Sequence, residues 1–343
     1  MTDLGDLARR TADRLVERHV GVVVAAVAGD GVAIRGAGSP GGGRSGPPGA
    51  DTVFEIGSVT KVFTSLALAR LVVAGAAELD EPLVRLLPKG TAVPSRGGTE
   101  ITLRHLATHT SGLPRLPKGM LLRALLRPST PDPYAGCTAD VLLRGLPTTR
   151  QAATPGHRFR YSNLGAGLLG LALAHRAGTD YQSLIDREIC TPLGLGDTGV
   201  TRPALLTQGH TARRRPTPAW DLAGLAGAGG LRSTAADLVT FLRAQLGSGP
   251  DGLAEAIALT RSTEHLRNPF AWIHLGWLGQ RLHPRQGGHL QLWHNGGTGG
   301  FASFTGFDPE RRVAVVVLSN TRRSVDAAGF ELLRTLQNTA AAA

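Results

Sequence analysis

Leu4, Leu7, Ala8, Leu15 and Val16 recur at helical spacing with charged residues between them, which predicts an amphipathic helix over residues 4–18. Two apolar runs follow, 22–28 and 32–37, separated by Gly29-Asp30-Gly31, and a glycine-bounded turn between such runs predicts a β-hairpin. Residues 39–50, with five glycines and three prolines, read as a loop. Phe54 and Ile56 alternate like a strand and Gly57 turns the chain. Residues 59–74 are apolar on nearly every side, the mark of a helix buried all round. From about 60 to 265 helical patterns alternate with proline and glycine punctuation. Residues 289–294, 301–307 and 312–319 then read as strands, the last two joined by Asp308-Pro309-Glu310, and 325–336 reads as a helix.

These elements predict an α+β fold: an antiparallel sheet built from both chain ends with flanking helices, plus an inserted mainly helical domain. The division expected is 1–59 with 266–343 for the sheet-containing part and 60–265 for the helical part. A cleft is expected at the seam between them, where binding sites concentrate. The chain shows no internal repeat.

Composition narrows the class. Hydrophobic residues make up 42%, charged residues 18% and mean hydropathy is −0.01, so a folded core is possible, and disordered, collagenous and coiled-coil chains are excluded. The longest apolar run, 62–77, carries Arg70 near its middle, so no membrane span is expected. The net charge of +11 raises a polyanion partner, yet only Lys61, Lys89 and Lys118 of the 37 basic residues are lysines. The densest cluster, Arg213-Arg214-Arg215-Pro216, lacks aromatic interleaving, so a solvated loop is the expectation and no nucleic-acid or membrane partner is. Cys137 and Cys190 fit no metal or redox spacing and read as reduced thiols. Asp3, Asp6, Asp13 and Glu17 break up the basic residues before the first apolar run, unlike a secretory signal, and a cytoplasmic protein is expected.

Candidate chemistry gathers in three places. Ser58 stands at the mouth of the apolar helix and Lys61 lies three residues on, so hydroxyl and amine share one helix face. A lysine desolvated there loses pKa and as a neutral amine can take the proton of a serine, otherwise a weak nucleophile. Tyr161-Ser162-Asn163 puts a phenol and an amide two residues apart at a helix entrance, one group to shuttle a proton and the other to orient substrate. Trp293-His294-Asn295-Gly296-Gly297-Thr298-Gly299-Gly300 runs a strand into a glycine-rich turn where a substrate carbonyl can approach backbone N–H groups.

These three elements, in this order, resemble the serine β-lactamase and penicillin-binding protein superfamily, specifically its class C β-lactamase-like branch with D-alanyl carboxypeptidases, esterases and acyltransferases. The segments 103–114, 229–238 and 300–320 share in the resemblance. It implies a β-lactamase/transpeptidase-like fold and a small-molecule acyl substrate, with no metal and no organic cofactor. Residue by residue, it implies Ser58 as the acylated nucleophile, Lys61 and Tyr161 as proton-transfer groups in an order left open, and Asn163 as a substrate-orienting amide. The backbone N–H groups of Ser58 and Gly297 would form the oxyanion hole. The family's Lys-Thr-Gly motif reads His294-Asn295-Gly296 here, with Asn295 and Gly296 as substrate-binding positions. A histidine is mostly neutral at pH 7, so strong β-lactamase activity is not expected, and His294 becomes a candidate proton relay with Tyr161. Three functions remain open: a hydrolase of esters or amides, an acyltransferase to an amine or alcohol, and a non-catalytic binding module.

Other patterns carry less. Gly165-Ala166-Gly167-Leu168-Leu169-Gly170 matches a dinucleotide-binding spacing but lacks its strands and acid, so close helix packing is expected. His105 and His109 stand four apart without the glutamate of a zinc-peptidase helix. Trp272, Trp277 and Trp293 offer either the lining of an acyl pocket or filling of the core, and the core is the default expectation.

Overall fold

The computed structural model describes residues 3–117, 119–120, 132–201, 206–262 and 265–340. One antiparallel sheet of eight strands organises them, in the spatial order Gly31–Gly38, Gly21–Ala28, Val313–Ser319, Ala302–Asp308, Leu290–Gly297, Leu278–Arg281, Ala271–Ile273 and His265–Asn268. The central strands are buried on both faces, which is why they read as near-continuous apolar runs. On one face Val22, Val24, Val315 and Val317 pack against the N-terminal helix Leu4–Val16 and the C-terminal helix Asp326–Thr339. On the other, Val23, Ala25, Val316 and Leu318 join Phe54, Phe63 and Leu169 in a single core that reaches into the inserted helices.

The helix Thr60–Val73 is buried along almost its whole length, because it is surrounded by the helices Asp251–Ser262, Ala226–Gly229 and Asn163–Arg176. The predicted hairpin forms, with Val22 opposite Ala37 and Val27 opposite Val32, and its outer strand is largely open to solvent as the edge of the sheet. The last helix begins at Asp326 and runs to Thr339, three residues past the predicted end. Three strands were not anticipated: His265–Asn268, Ala271–Ile273 and Leu278–Arg281 are three or four residues long and partly polar, too short to show a period of two. None of the described helices is long and apolar enough to cross a membrane.

The sheet sets up the site through an incomplete pairing. Leu278–Arg281 pairs with the next strand only as far as Trp293, so residues 294–297 have one open backbone edge. The turn that carries Ser58 docks there.

Candidate active site

Ser58 lies in a short 3₁₀ turn, Gly57–Val59, that runs straight into the buried helix. Gly57 has φ +50°, and a Cβ there would lie 2.7 Å from the nitrogen of Gly297, so only glycine permits both the turn and its contact with the strand. Ser303 Oγ donates to Ile56 O at 2.7 Å, and Ile56 N donates to Leu231 O at 3.1 Å. A two-residue ladder of Phe54 with Ser233 and Glu55 with Arg232 completes the clamp. The turn is thus held between the sheet and the segment 228–233.

Lys61 is buried beside it. Nζ lies 2.9 Å from Ser58 Oγ and donates to Ala228 O at 2.5 Å. Burial, and then the charge of Arg115, hold the amine well below the ordinary lysine range, which favours its neutral form. The Ala228 carbonyl is itself positioned by packing. Thr64 Oγ1 donates to the neighbouring Gly227 O at 2.8 Å. A Cβ on Gly170 would stand 2.9 Å from Gly227 Cα, so the glycines of helix Asn163–Arg176 let it close on this segment.

That helix is capped by Ser162, whose Oγ accepts from Gly165 N at 2.9 Å, and this places Tyr161 and Asn163 on either side of the cap. The Tyr161 ring centroid lies 4.9 Å from Lys61 Nζ and 5.5 Å from the Arg115 guanidinium. Burial raises the phenol to about 12, against the opposing effect of its hydrogen bond with Ser58. Asn163 Nδ2 donates to Tyr134 Oη at 3.2 Å, and its buried Oδ1 has no partner among the described residues. An unpartnered acceptor of this kind is available to a substrate N–H or O–H.

On the strand, Thr298 N donates to Phe301 O at 3.1 Å. Antiparallel ladders alternate, so Gly296 and His294 face the same neighbour strand, while the N–H groups of Gly297 and Asn295 face the open edge beside Ser58. A Cβ on Gly296 would lie 2.0 Å from Ile56 O and 2.9 Å from Ser58 N, which shows how closely strand and turn meet. Asn295 Nδ2 donates to Asp326 Oδ2 at 2.8 Å, tying the strand to the C-terminal helix. His294 is buried and driven down to about 3, first by desolvation and then by Lys61. Its Nδ1–H donates to Asn295 O at 2.7 Å, which leaves Nε2 an acceptor, and Nε2 has no partner among the described residues. The Tyr161 and His294 rings stand 6.3 Å apart and no hydrogen bond joins them, so the expected relay is not direct.

Ser58, Tyr161, Asn163, Asn295, Gly296 and Gly297 therefore line one cleft, of about 860 Å³, with Lys61 and His294 buried behind its wall. Several of its residues carry no motif. Tyr134 and Trp220, ring centroids 5.1 Å apart, form part of the lining, and Trp220 N donates to the buried Glu55 at 2.8 Å. Trp293 also faces the cleft and stacks on Phe304, while Trp277 is core. His105 and His109 do not form a pair of ligands: Thr102 N donates to His105 Nδ1 at 3.2 Å and Ser162 N to His109 Nδ1 at 3.3 Å.

The sequence model of the Beta-lactamase family matches residues 8–337. The chain is 30% identical over 328 residues to the D-alanyl-D-alanine-carboxypeptidase/endopeptidase AmpH of Escherichia coli strain K12, covering 91% of this chain and 83% of that one. It is 27% identical over 322 residues to a beta-lactamase of the same organism, covering 83% and 81%. A crystal structure of a beta-lactamase/D-alanine carboxypeptidase from Yersinia pestis superposes with a TM-score of 0.81 at 26% identity, over 97% of this chain and 99% of that one.

Proposed function

The chain belongs to the beta-lactamase family and is a serine hydrolase of the class C β-lactamase type, and from that premise we propose that it cleaves esters or amides through an acyl-enzyme on Ser58. One observation carries the reading: a buried lysine bridges the Ser58 hydroxyl and a backbone carbonyl in a site that favours its neutral form. Ser58 Oγ attacks the substrate carbonyl carbon and its proton passes to Lys61 Nζ. The N–H groups of Ser58 and Gly297 hold the oxyanion. As the acyl bond to the leaving group breaks, the phenol of Tyr161 protonates the departing oxygen or nitrogen and is reprotonated from Lys61. The opposed pKa shifts support this order, since a phenol raised to about 12 is a donor and a depressed amine is a base. Water then attacks the acyl-enzyme and the proton transfers run in reverse, freeing Ser58. His294 brings no positive charge to the strand, which favours esters and amides over β-lactams that a cationic lysine would hold.

Incubation with p-nitrophenyl hexanoate, followed by nitrophenol release and intact mass, tests the proposal. The protein is expected to gain a hexanoyl adduct that decays in buffer, and Ser58→Ala to show neither adduct nor catalysed release. An adduct that persists until an amine or alcohol is added would mean acyl transfer instead. Equal release by both proteins would sink the assignment of Ser58.

A further inference from the structure

A buried carboxylate stands three residues before the nucleophile. Glu55, on the two-residue strand Phe54–Glu55, is only 4% exposed, and its Oε1 accepts from Trp220 N at 2.8 Å. Its Oε2 is enclosed and has no hydrogen-bond partner among the described residues, and the same holds for Oγ1 of Thr298, which is 3% exposed. The two atoms belong together: burial raises the Glu55 carboxyl, and the Thr298 side chain is foremost among the groups that lower it again. A carboxylate oxygen and a hydroxyl left unpaired in the interior are each costly, and a bond between them removes both costs. Hydrogen bonds around a site are often long or poorly aligned in the free enzyme and tighten when substrate is held.

Both partners of this carboxylate belong to the walls of the cleft. Thr298 follows Gly297, whose N–H is one of the two proposed for the oxyanion, and its own N closes the turn by donating to Phe301 O at 3.1 Å. Gly297 has no side chain to hold it, and a Cβ there would meet nothing nearer than Phe301 O at 3.8 Å, so its place on the open strand edge is set by its neighbours. On one side Gly296 is wedged against Ile56 O, and on the other the buried Thr298 side chain is the anchor. Trp220 lies across the same turn, since a Cβ on Gly299 would stand 2.4 Å from its Nε1. Its ring packs 5.1 Å from that of Tyr134, whose Oη accepts from Asn163 Nδ2. One carboxylate thus ties together the strand leading to Ser58, the turn after Gly297 and the loop that carries Trp220.

We infer that Glu55 is a positioning residue for the oxyanion hole, holding the Thr298 turn and Trp220 so that the N–H of Gly297 stays aligned with that of Ser58. This rests on the proposed function and adds a residue to it. Glu55 is not among the residues that line the cleft, so it acts through Thr298: the carboxylate accepts from the hydroxyl, and the hydroxyl fixes the turn. Donors held in place before the reaction stabilise a developing oxyanion far better than donors that must first be gathered.

A pair of substrates reads the hole: p-nitrophenyl hexanoate and its thionoester, in which sulfur replaces the carbonyl oxygen. Sulfur is the weaker acceptor, so aligned N–H groups favour the oxygen ester, and the ratio of the two kcat/KM values reports their alignment. Thr298→Val keeps the shape of the side chain and removes the hydroxyl. Glu55→Gln keeps an acceptor for Trp220 N and removes the charge that holds the hydroxyl. Thr298→Val is expected to lower the ratio about tenfold, a fraction of what the loss of a whole donor costs, and Glu55→Gln about threefold, because its amide can still meet the hydroxyl. Thr298→Ser should keep the ratio of the unaltered protein. The double variant should lose no more than Thr298→Val alone, since two side chains that act as one unit are not additive. A ratio left unchanged by either single substitution, even where both esters slow together, or losses that multiply in the double variant, overturns the positioning role, while a hexanoyl adduct on Ser58 leaves the acyl-enzyme standing. If neither ester acylates Ser58, the proposed function fails and this role with it.

Discussion

His109 shows how a residue outside the three candidate catalytic elements shapes the chemistry. Its carbonyl accepts from Arg160 N at 2.7 Å and its Nδ1 from Ser162 N at 3.3 Å, so it grips the backbone on both sides of Tyr161. Its ring centroid lies 4.4 Å from that of Tyr161, and its own backbone sits at φ +56°, a conformation unfavourable for most side chains. His109 is a positioning residue for the phenol. Replacing it by Ala removes the ring and one bond at a strained backbone, and kcat is expected to fall about 10- to 100-fold with KM little changed. Asn tolerates this conformation and its Oδ1 can replace Nδ1, so His109→Asn should recover most of the rate. Steady-state kinetics on both variants decide this, and equal loss in Ala and Asn would remove the positioning role. Ser58, Lys61, Tyr161 and Asn163 were legible because short spacings carried them, three residues in one case and two in the other. His109 meets Ser162 across 53 positions, and Lys61 meets a carbonyl of Ala228 across 167, where no side-chain identity marks the contact. Only the fold brings such partners together.

At the scale of elements, activity depends on a strand edge and a turn meeting with no room between them. Gly296 faces the turn so closely that an added methyl would stand 2.0 Å from Ile56 O. Gly296→Ala is expected to push the turn off the strand and separate the two N–H groups proposed for the oxyanion hole. A displacement of about 1 Å costs on the order of 100-fold in rate, so kcat/KM should drop at least that much. Circular dichroism should still report native secondary structure, because the methyl collides with Ile56 O and Ser303 Oγ at this one junction while Ile56 N still bonds Leu231 O and the ladder of Phe54 with Ser233 remains. A variant with near-native activity would show that the strand is not part of the site. The elements on each side of this junction were predictable, since Phe54 and Ile56 alternate, residues 59–74 are apolar on nearly every side, and 289–294 reads as a strand. The open edge that makes the junction was not. It exists because the strand Leu278–Arg281 stops pairing at Trp293, and a four-residue strand with Gln280 and Arg281 leaves no pattern to read.

At the scale of the whole molecule, burying so many titratable groups sets a pH dependence of stability. His19 is pushed down to about 4, mainly by burial and then by Arg323, Arg214 and Arg18; His294 to about 3; and His109 well below 6.5. In the unfolded chain each of these takes a proton near pH 6.5 that the folded chain refuses. The unfolded state therefore binds more protons below 6.5, and each histidine removes about 1.4 kcal/mol per pH unit until its folded pKa is reached. Lys61 acts with the same sign over a different window: depressed when folded, it makes stability rise with pH up to the ordinary lysine value of 10.5. The buried carboxylates Glu55, Asp237 and Asp308 and the half-buried Asp132 act the other way, because desolvation raises their pKa and the folded state takes up their protons first. Their contribution grows only as pH falls into the raised carboxylate range, so the histidines govern the window just below 6.5. Urea unfolding is expected to give a lower free energy at pH 5.5 than at pH 7 by about 2–4 kcal/mol. His19→Gln, at a site remote from Ser58 and hydrogen-bonded to Ser319 at 2.8 Å, should flatten that slope. Equal stability at the two pH values would mean that these imidazoles are solvated when the chain is folded, and would remove the argument that burial favours the uncharged forms of Lys61 and His294 in the site.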